Sequence, residues 1–195
     1  NIPQYMKDAA IAIEDKRFYD HKGVDWYRTA GAFVNMFLGM KNDFGGSTIT
    51  QQLVKNITGR DEVTVRRKLV EIFSALELEK KYTKKQIMEL YLNVIALGEN
   101  CEGVESASQV YFGKSVSELD LAECAALIGI TNNPSIYDPY INPEKNKQRQ
   151  EIILGEMLDQ KYITQDQYDK AMAEELVFHN ASGEACDTSG KIRSD

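Results

Sequence analysis

The sequence predicts an all-α fold. Proline is scarce, apolar residues recur mostly at helical spacing, and few stretches alternate with the period of two that a half-buried strand requires. At 195 residues and 43% hydrophobic, the chain can bury one good core, so one domain is expected. Residues 1–178 form its body, and 179–195, small and polar, read as a linker or tail.

The first helix runs through 9–13 and ends near a turn at 18–23. Asp25 is placed to cap the next helix, where Ala30, Phe33, Val34, Phe37 and Leu38 recur at helical spacing. That stretch also holds Trp26, Tyr27, Met36 and Met40 with a single charge, Arg28. It is shorter than the roughly 20 apolar residues a bilayer crossing needs, which leaves a core helix or one lying in a lipid interface. Gly45-Gly46 breaks the chain, and Thr48 with Gln51 forms a capping box for a helix that ends near Gly59. A longer helix is expected over about 61–82, with Val65, Leu69, Ile72, Phe73 and Leu76 inward. Thr83 with Gln86 is a second capping box, opening a helix with Ile87, Leu90, Tyr91 and Val94 inside and Gly98 at its end. Helices follow at 104–112 and 119–130, and 132–139 reads as a loop. Asn142-Pro143 supplies cap and first turn of the next helix, and Thr164 with Gln167 caps the last.

The net charge of −7 argues against a nucleic-acid partner, since no basic surplus exists to neutralise phosphates along a duplex. Positive charge is local, at Lys55, Arg60, Arg66, Arg67 and Lys68 and again at Lys80, Lys81, Lys84 and Lys85, which suits a small anionic group. Cys101, Cys124 and Cys186 give neither metal spacing nor a redox pair. Cys124 lies in an apolar run and is expected as a buried thiol, while a Cys101–Cys186 disulfide stays open. The chain starts at Asn1 without a signal peptide or spanning helix and reads as a piece of something longer, so missing targeting signals say nothing about location.

Several residues carry chemistry. Glu14 follows Ala9-Ala10-Ile11-Ala12-Ile13, so its carboxylate leaves an apolar helix end, where desolvation is expected to tune a general acid or base. The plain alternative is an exposed acidic helix end. Asp15 beside it is placed to hold a cation or to orient Glu14. Thr48, Gln52 and Lys55 share one helical face, opposite Ile49, Leu53 and Ile57. That row of donors at a helix N-terminus behind glycines suits phosphate oxygens, whereas a capped helix with no ligand is the simpler account. The spacing does not match a nucleotide-binding P-loop. Arg67 and Glu71 lie one turn apart, either a surface ion pair or a phosphate ligand with a second carboxylate facing a cleft. His21 reads as structural or as a proton shuttle, Phe18 as packing, Tyr91 as core and Asn93 as a polar link between helices.

The segments Glu14-Asp15-Lys16-Arg17-Phe18-Tyr19-Asp20-His21-Lys22-Gly23 and Gly45-Gly46-Ser47-Thr48-Ile49-Thr50-Gln51-Gln52-Leu53-Val54-Lys55-Asn56 closely resemble the first two signature motifs of the family 51 glycosyltransferases. These are the peptidoglycan glycosyltransferase domains of class A penicillin-binding proteins and their stand-alone relatives. Arg67-Lys68-Leu69-Val70-Glu71 resembles the third motif and Lys85-Gln86-Ile87-Met88-Glu89-Leu90-Tyr91-Leu92-Asn93 the fourth, and the likeness covers about residues 5 to 178. One departure is Glu102, where an aromatic usually precedes the glycine.

The resemblance implies a lysozyme-like helical lobe with a smaller membrane-associated lobe, at the outer face of a bacterial cytoplasmic membrane. The implied substrate is lipid II, with the lipid-linked nascent glycan as donor. Glu14 would be the general base, and Asp15, Phe18 and His21 would shape its site. Ser47, Thr48, Gln51, Gln52, Lys55, Asn56, Arg67 and Lys68 would bind substrate, and Glu71 would help the pyrophosphate depart or position the donor. No cofactor is required by the sequence, but a divalent cation, Mg or Mn, at Asp15 or Glu71 is compatible with the resemblance. Partners implied are lipid II, a membrane surface and further domains of a longer penicillin-binding protein. Two alternatives share the fold: a non-catalytic lipid II binding or scaffold domain, and a lysozyme-like glycan-cleaving enzyme.

Overall fold

The computed structural model describes residues 1–37, 46–59, 64–179 and 185–186, the side chains of 32–37 and 185–186 aside. The expectations for Phe33, Val34, Met36, Phe37, Leu38, Met40, Gly45 and Arg60 therefore lie outside the described residues or side chains. Among those described, the helices are α1 (Gln4–Glu14), α2 (Trp26–Phe37), α3 (Ile49–Thr58), α4 (Val65–Lys81), α5 (Lys84–Val94), α6 (Val104–Phe112), α7 (Leu121–Ile130), α8 (Pro134–Tyr137), α9 (Pro143–Asp159) and α10 (Gln165–Ala173). A 3-10 turn at Val116–Glu118 precedes α7, and β1 (Phe178–His179) pairs antiparallel with β2 (Ala185–Cys186) where the sequence reads as a tail begins. The fold is all-α, and the chain divides into two compact units, one of Asn1–Ile13 with Ile95–Asp195 and one of Glu14–Val94.

The first unit is built around α7. Asp120 and Glu123 form a reciprocal capping box at its start, and every residue from Leu121 to Ile130 is buried. A helix apolar all round has to be enclosed, and α6, α8, α9 and α10 enclose this one. From α9, the buried side-chain amides of Asn146 and Gln150 donate to the carbonyls of Ala126 and Ala122, tying α9 to α7, while the Gln150 Oε1 is buried without a hydrogen-bond partner among the described residues. The sequence places Gly98 at the end of α5. It lies instead in a turn closed by the Ala96–Glu102 bridge, with a positive φ and the Asp138 carboxylate and Tyr111 hydroxyl against its α-carbon. The stretch 132–139 holds one helical turn, α8, started by Pro134. Cys101 and Cys124 are free buried thiols, so the disulfide left open for Cys101 is not formed.

In the second unit α3 packs against α4 and α5 around Val24, Val54, Ile72 and Ala75, with Leu76 and Leu78 at the edge. Both capping boxes expected here form: Thr48 with Gln51, and Thr83 with Gln86. Asp25 caps α2 through the Arg28 N–H. Of the α4 residues that periodicity places inward, Ile72 is buried and Leu76 packs at the edge of the core, but Val65, Leu69 and Phe73 are 73%, 51% and 65% exposed, and Glu71 and Ala75 are buried instead. The reason is Glu71: a period count assigns a carboxylate to solvent, but this one has enough partners inside to be buried. Leu90 on α5 is likewise exposed rather than inside.

Candidate active site

The sequence-predicted residues of the first three motifs all fall in the second unit. Glu14 is the last residue of α1, where Arg28 donates to its carbonyl (2.8 Å) and stops the helix. Its half-buried side chain accepts a hydrogen bond at Oε2 from Gln52 Nε2 (2.9 Å). The chain then turns through Phe18 N–H to Asp15 carbonyl and Asp20 N–H to Arg17 carbonyl.

Asp15 is fully buried. Its carboxylate accepts from the Ile49 N–H (3.0 Å), the first residue of α3, and from His21 Nε2 (2.9 and 3.0 Å). This places a carboxylate at the positive end of α3. His21 Nδ1 in turn accepts from the Gly23 N–H (3.2 Å), which leaves Nε2 as the nitrogen that donates to Asp15. His21 thus braces the turn against α3. Phe18 is fully buried as expected, but its ring also carries a cation: Lys84 Nζ sits 4.4 Å above its centroid. Lys84 pairs with Glu79 (2.7 Å), and Glu79 accepts from the Thr50 hydroxyl (2.7 Å). Sequence reasoning missed this Thr50–Glu79–Lys84 link. Lys84 and Glu79 straddle the break between α4 and α5, where no helical spacing rule pairs them.

The row of donors on α3 is shorter than its sequence suggests. Thr48 is fully buried; its hydroxyl donates to the Gly23 carbonyl (2.6 Å) and accepts from the Gln51 N–H (3.1 Å). Gln51 is fully buried too, its Oε1 accepting the Thr48 N–H and its Nε2 donating to Glu71 (3.3 Å). These two side chains set the loop and the helix start. Gln52 bridges, donating to Glu14 and accepting at Oε1 from the Tyr91 hydroxyl (3.2 Å). Lys55 and Asn56 are exposed, and so is Ile57, at 59%, against the expectation that it shares the buried apolar face.

Glu71 is 5% exposed, and its charge is offset on three sides: Lys68 forms an ion pair with it, Arg67 lies 3.8 Å away, and Gln51 donates to it. Lys68 also donates to the half-buried Ser47 (2.8 Å). An isolated carboxylate this deep would be very costly, so the two cations hold it and it holds them. Arg67 and Glu71 line a small pocket together with Val54, Lys55, Thr58 and Val70. Two cations, one from α3 and one from α4, thus line one concavity together with the Glu71 carboxylate.

Neither Asp15 nor Glu71 offers an open set of oxygens to a divalent cation: Asp15's are occupied by His21 and Ile49, and Glu71 already has two basic neighbours. Among the described residues no three His, Cys, Asp or Glu side chains converge as a metal site would require. Asn93 bonds the carbonyl of Glu89 in its own helix and links no helices. Tyr91 is fully buried, and burial, with Glu14 and Asp15 nearby, pushes its phenol well above the usual range.

A family model described as transglycosylase matches residues 1–158. Among curated relatives, a penicillin-binding protein 1A of Neisseria gonorrhoeae is 46% identical over 178 residues, 91% of this chain and 22% of its own length. One from Clostridium botulinum is 43% identical over 195 residues, covering 93% of this chain and 24% of its own length. A crystal structure of penicillin-binding protein 1A from Haemophilus influenzae aligns with a TM-score of 0.55 and 26% identity, over 92% of this chain and 17% of that one. The chain therefore spans less than a quarter of the length of these relatives.

Proposed function

The chain belongs to the transglycosylase family, and on that premise we propose that it is a peptidoglycan glycosyltransferase that polymerises lipid II into β-1,4-linked glycan strands, with Glu14 as general base. The observation that carries this reading is the double use of α3. Gln52 holds the Glu14 carboxylate, and Lys55, on the next turn of the same helix, lines the pocket with Arg67 and Glu71. A base and an anion grip on one rigid element suit a reaction in which a hydroxyl attacks while a pyrophosphate departs.

In this mechanism Glu14 takes the proton of the acceptor GlcNAc 4-hydroxyl. The oxygen attacks the anomeric carbon of the lipid-linked chain from the face opposite the pyrophosphate, so the configuration inverts. Negative charge grows on the leaving group, and Lys55 and Arg67 are the side chains placed to stabilise it. Glu71 keeps Arg67 and Lys68 in position and moves no proton. Asp15, His21, Thr48 and Gln51 hold the turn and α3 together, and no step is routed through a metal.

The setting in this reading is the extracytoplasmic face of the cell membrane, with the chain as one domain of a longer protein. No described helix is long and apolar enough to cross a bilayer. The exposed stripe of Val65, Leu69 and Phe73 on α4, beside the exposed Arg66, is suited to lie at an anionic lipid surface, where a polyprenyl substrate would be found. A glycan-cleaving enzyme would have no use for the Lys55–Arg67 pocket.

The test is polymerisation of lipid II by the purified chain in detergent, read as glycan strands on a gel. Strands are expected from wild type and none from Glu14→Gln, which keeps its shape and loses its basicity. Strands from Glu14→Gln at the wild-type rate would remove the assigned base. A folded wild-type chain that binds lipid II and makes no strands would favour the scaffold reading. Lys55→Ala is expected to weaken binding of a lipid pyrophosphate, and an unchanged affinity would remove the anion pocket from the mechanism.

A further inference from the structure

The mechanism above uses Gln52 but leaves Tyr91 unexplained. A glutamine amide has two unlike ends, an oxygen that only accepts and a nitrogen that only donates. Rotated by half a turn, Gln52 would point its oxygen at the Glu14 carboxylate, setting two acceptors against each other at the distance, 2.9 Å, now occupied by a hydrogen bond. What decides between the two orientations is the group at the other end. That group is the Tyr91 hydroxyl, 3.2 Å from Gln52 Oε1 on a side chain with no exposure to solvent. Burial and the two nearby carboxylates keep this phenol un-ionised, so it has a proton to donate. Tyr91 lies on α5, which packs against α3, so its hydroxyl is as fixed as the core itself.

Resting on the proposed function, we infer that Tyr91 is a positioning residue for the general base: its hydroxyl holds the Gln52 amide so that the NH2 end faces and fixes the Glu14 carboxylate. Tyr91 touches no substrate. It acts through Gln52, and the relay Tyr91–Gln52–Glu14 runs from the core to the reacting group. Losing it leaves substrate binding in place and lets the base wander from its attack geometry, so kcat falls while KM holds.

The experiment measures kcat and KM for lipid II with wild type, Tyr91→Phe, Gln52→Met and the double variant, with Glu14→Gln in parallel. Tyr91→Phe deletes one hydroxyl and keeps the ring. It is expected to lower kcat about five- to tenfold, the scale of one lost hydrogen bond, with KM within about twofold. Because Tyr91 acts through Gln52, the double variant is expected to match Gln52→Met alone. Two effects that multiply, or Tyr91→Phe at wild-type kcat, would overturn the relay. Gln52→Met cuts the same relay from its half-buried middle, so the test does not depend on Tyr91→Phe folding; a folded Gln52→Met at wild-type kcat overturns it by itself. The failures separate cleanly. Strands surviving in Glu14→Gln would remove the general base and the relay with it, whereas their loss in Glu14→Gln beside an unaffected Tyr91→Phe removes the relay alone.

Discussion

Replacing Gly23 by alanine tests whether the turn is as tightly built as its contacts indicate. Gly23 has a φ of +92°, and a Cβ there would lie 2.7 Å from the Ala75 carbonyl oxygen, 2.9 Å from its carbon and 3.0 Å from Glu79 Cγ. Two costs add. A side chain in left-handed backbone costs about 1–2 kcal/mol. Forcing a methyl against helix backbone that cannot rotate away costs about 1–3 kcal/mol more. The sum, roughly 2–5 kcal/mol, translates at about 2–4 °C per kcal/mol for a chain of this size into a fall in Tm of roughly 5–20 °C. Gly59→Ala isolates the first cost, since Gly59 has a φ of +60° and nothing within 4 Å of its would-be Cβ. Thermal melts followed by far-UV circular dichroism on both variants therefore separate strain from clash. Gly23→Ala should melt well below Gly59→Ala. Glycan synthesis should also drop at temperatures where both are folded, because Gly23 supplies the N–H that His21 accepts and the carbonyl to which Thr48 donates. A Gly23→Ala chain melting with Gly59→Ala and fully active would refute the account of the turn.

Two further outcomes are expected. Thr48→Ala removes the cap of α3 and leaves the buried Gly23 carbonyl without its hydroxyl donor, together about 2–3 kcal/mol, read as a lower urea midpoint at unchanged slope; a midpoint shifted by less than the equivalent of about 0.5 kcal/mol would show that the cap contributes little. Glu174 is pushed from its ordinary 4.5 up to about 7, first by burial and then by Asp120 and Glu123. A carboxyl whose folded value is raised gives its full stability below the ordinary value and loses it as pH climbs through the folded one. The melting temperature should therefore fall from pH 5 to pH 8, and less in Glu174→Gln; parallel curves would assign the dependence to other groups.

The features legible in the sequence are those set by local rules. The Thr48–Gln51, Thr83–Gln86 and Thr164–Gln167 boxes form because a cap needs residues three apart and little else. The burial of Glu71 was not legible, because it depends on Gln51, Lys68 and Arg67 together, and with it went the exposure of Val65, Leu69 and Phe73, although Ile72 and Leu76 lie inward as their spacing indicates. The buried role of Thr48 was hidden in the same way, since a threonine at a helix start looks alike whether its hydroxyl meets a ligand or, as here, a carbonyl 25 positions back. Glu14, Lys55 and Arg67 were readable as candidates from residue type and spacing. The sequence could not reveal that Gln52 would join the carboxylate to the core through Tyr91.

The bonds from Thr48 to Gly23 and from Ile49 to Asp15 span 25 and 34 positions, and both close at the same place. In polymer terms the turn and the start of α3 are the neck of a loop whose last described tie to the neck's own strand is Arg28 on the Glu14 carbonyl. The entropy of closing a loop grows only with the logarithm of its length, so doubling the stretch beyond Arg28 would cost about 0.6 kcal/mol. A change in chain length there would therefore cost little at the neck, where Asp15, Gly23, Thr48 and Ile49 are fastened to one another.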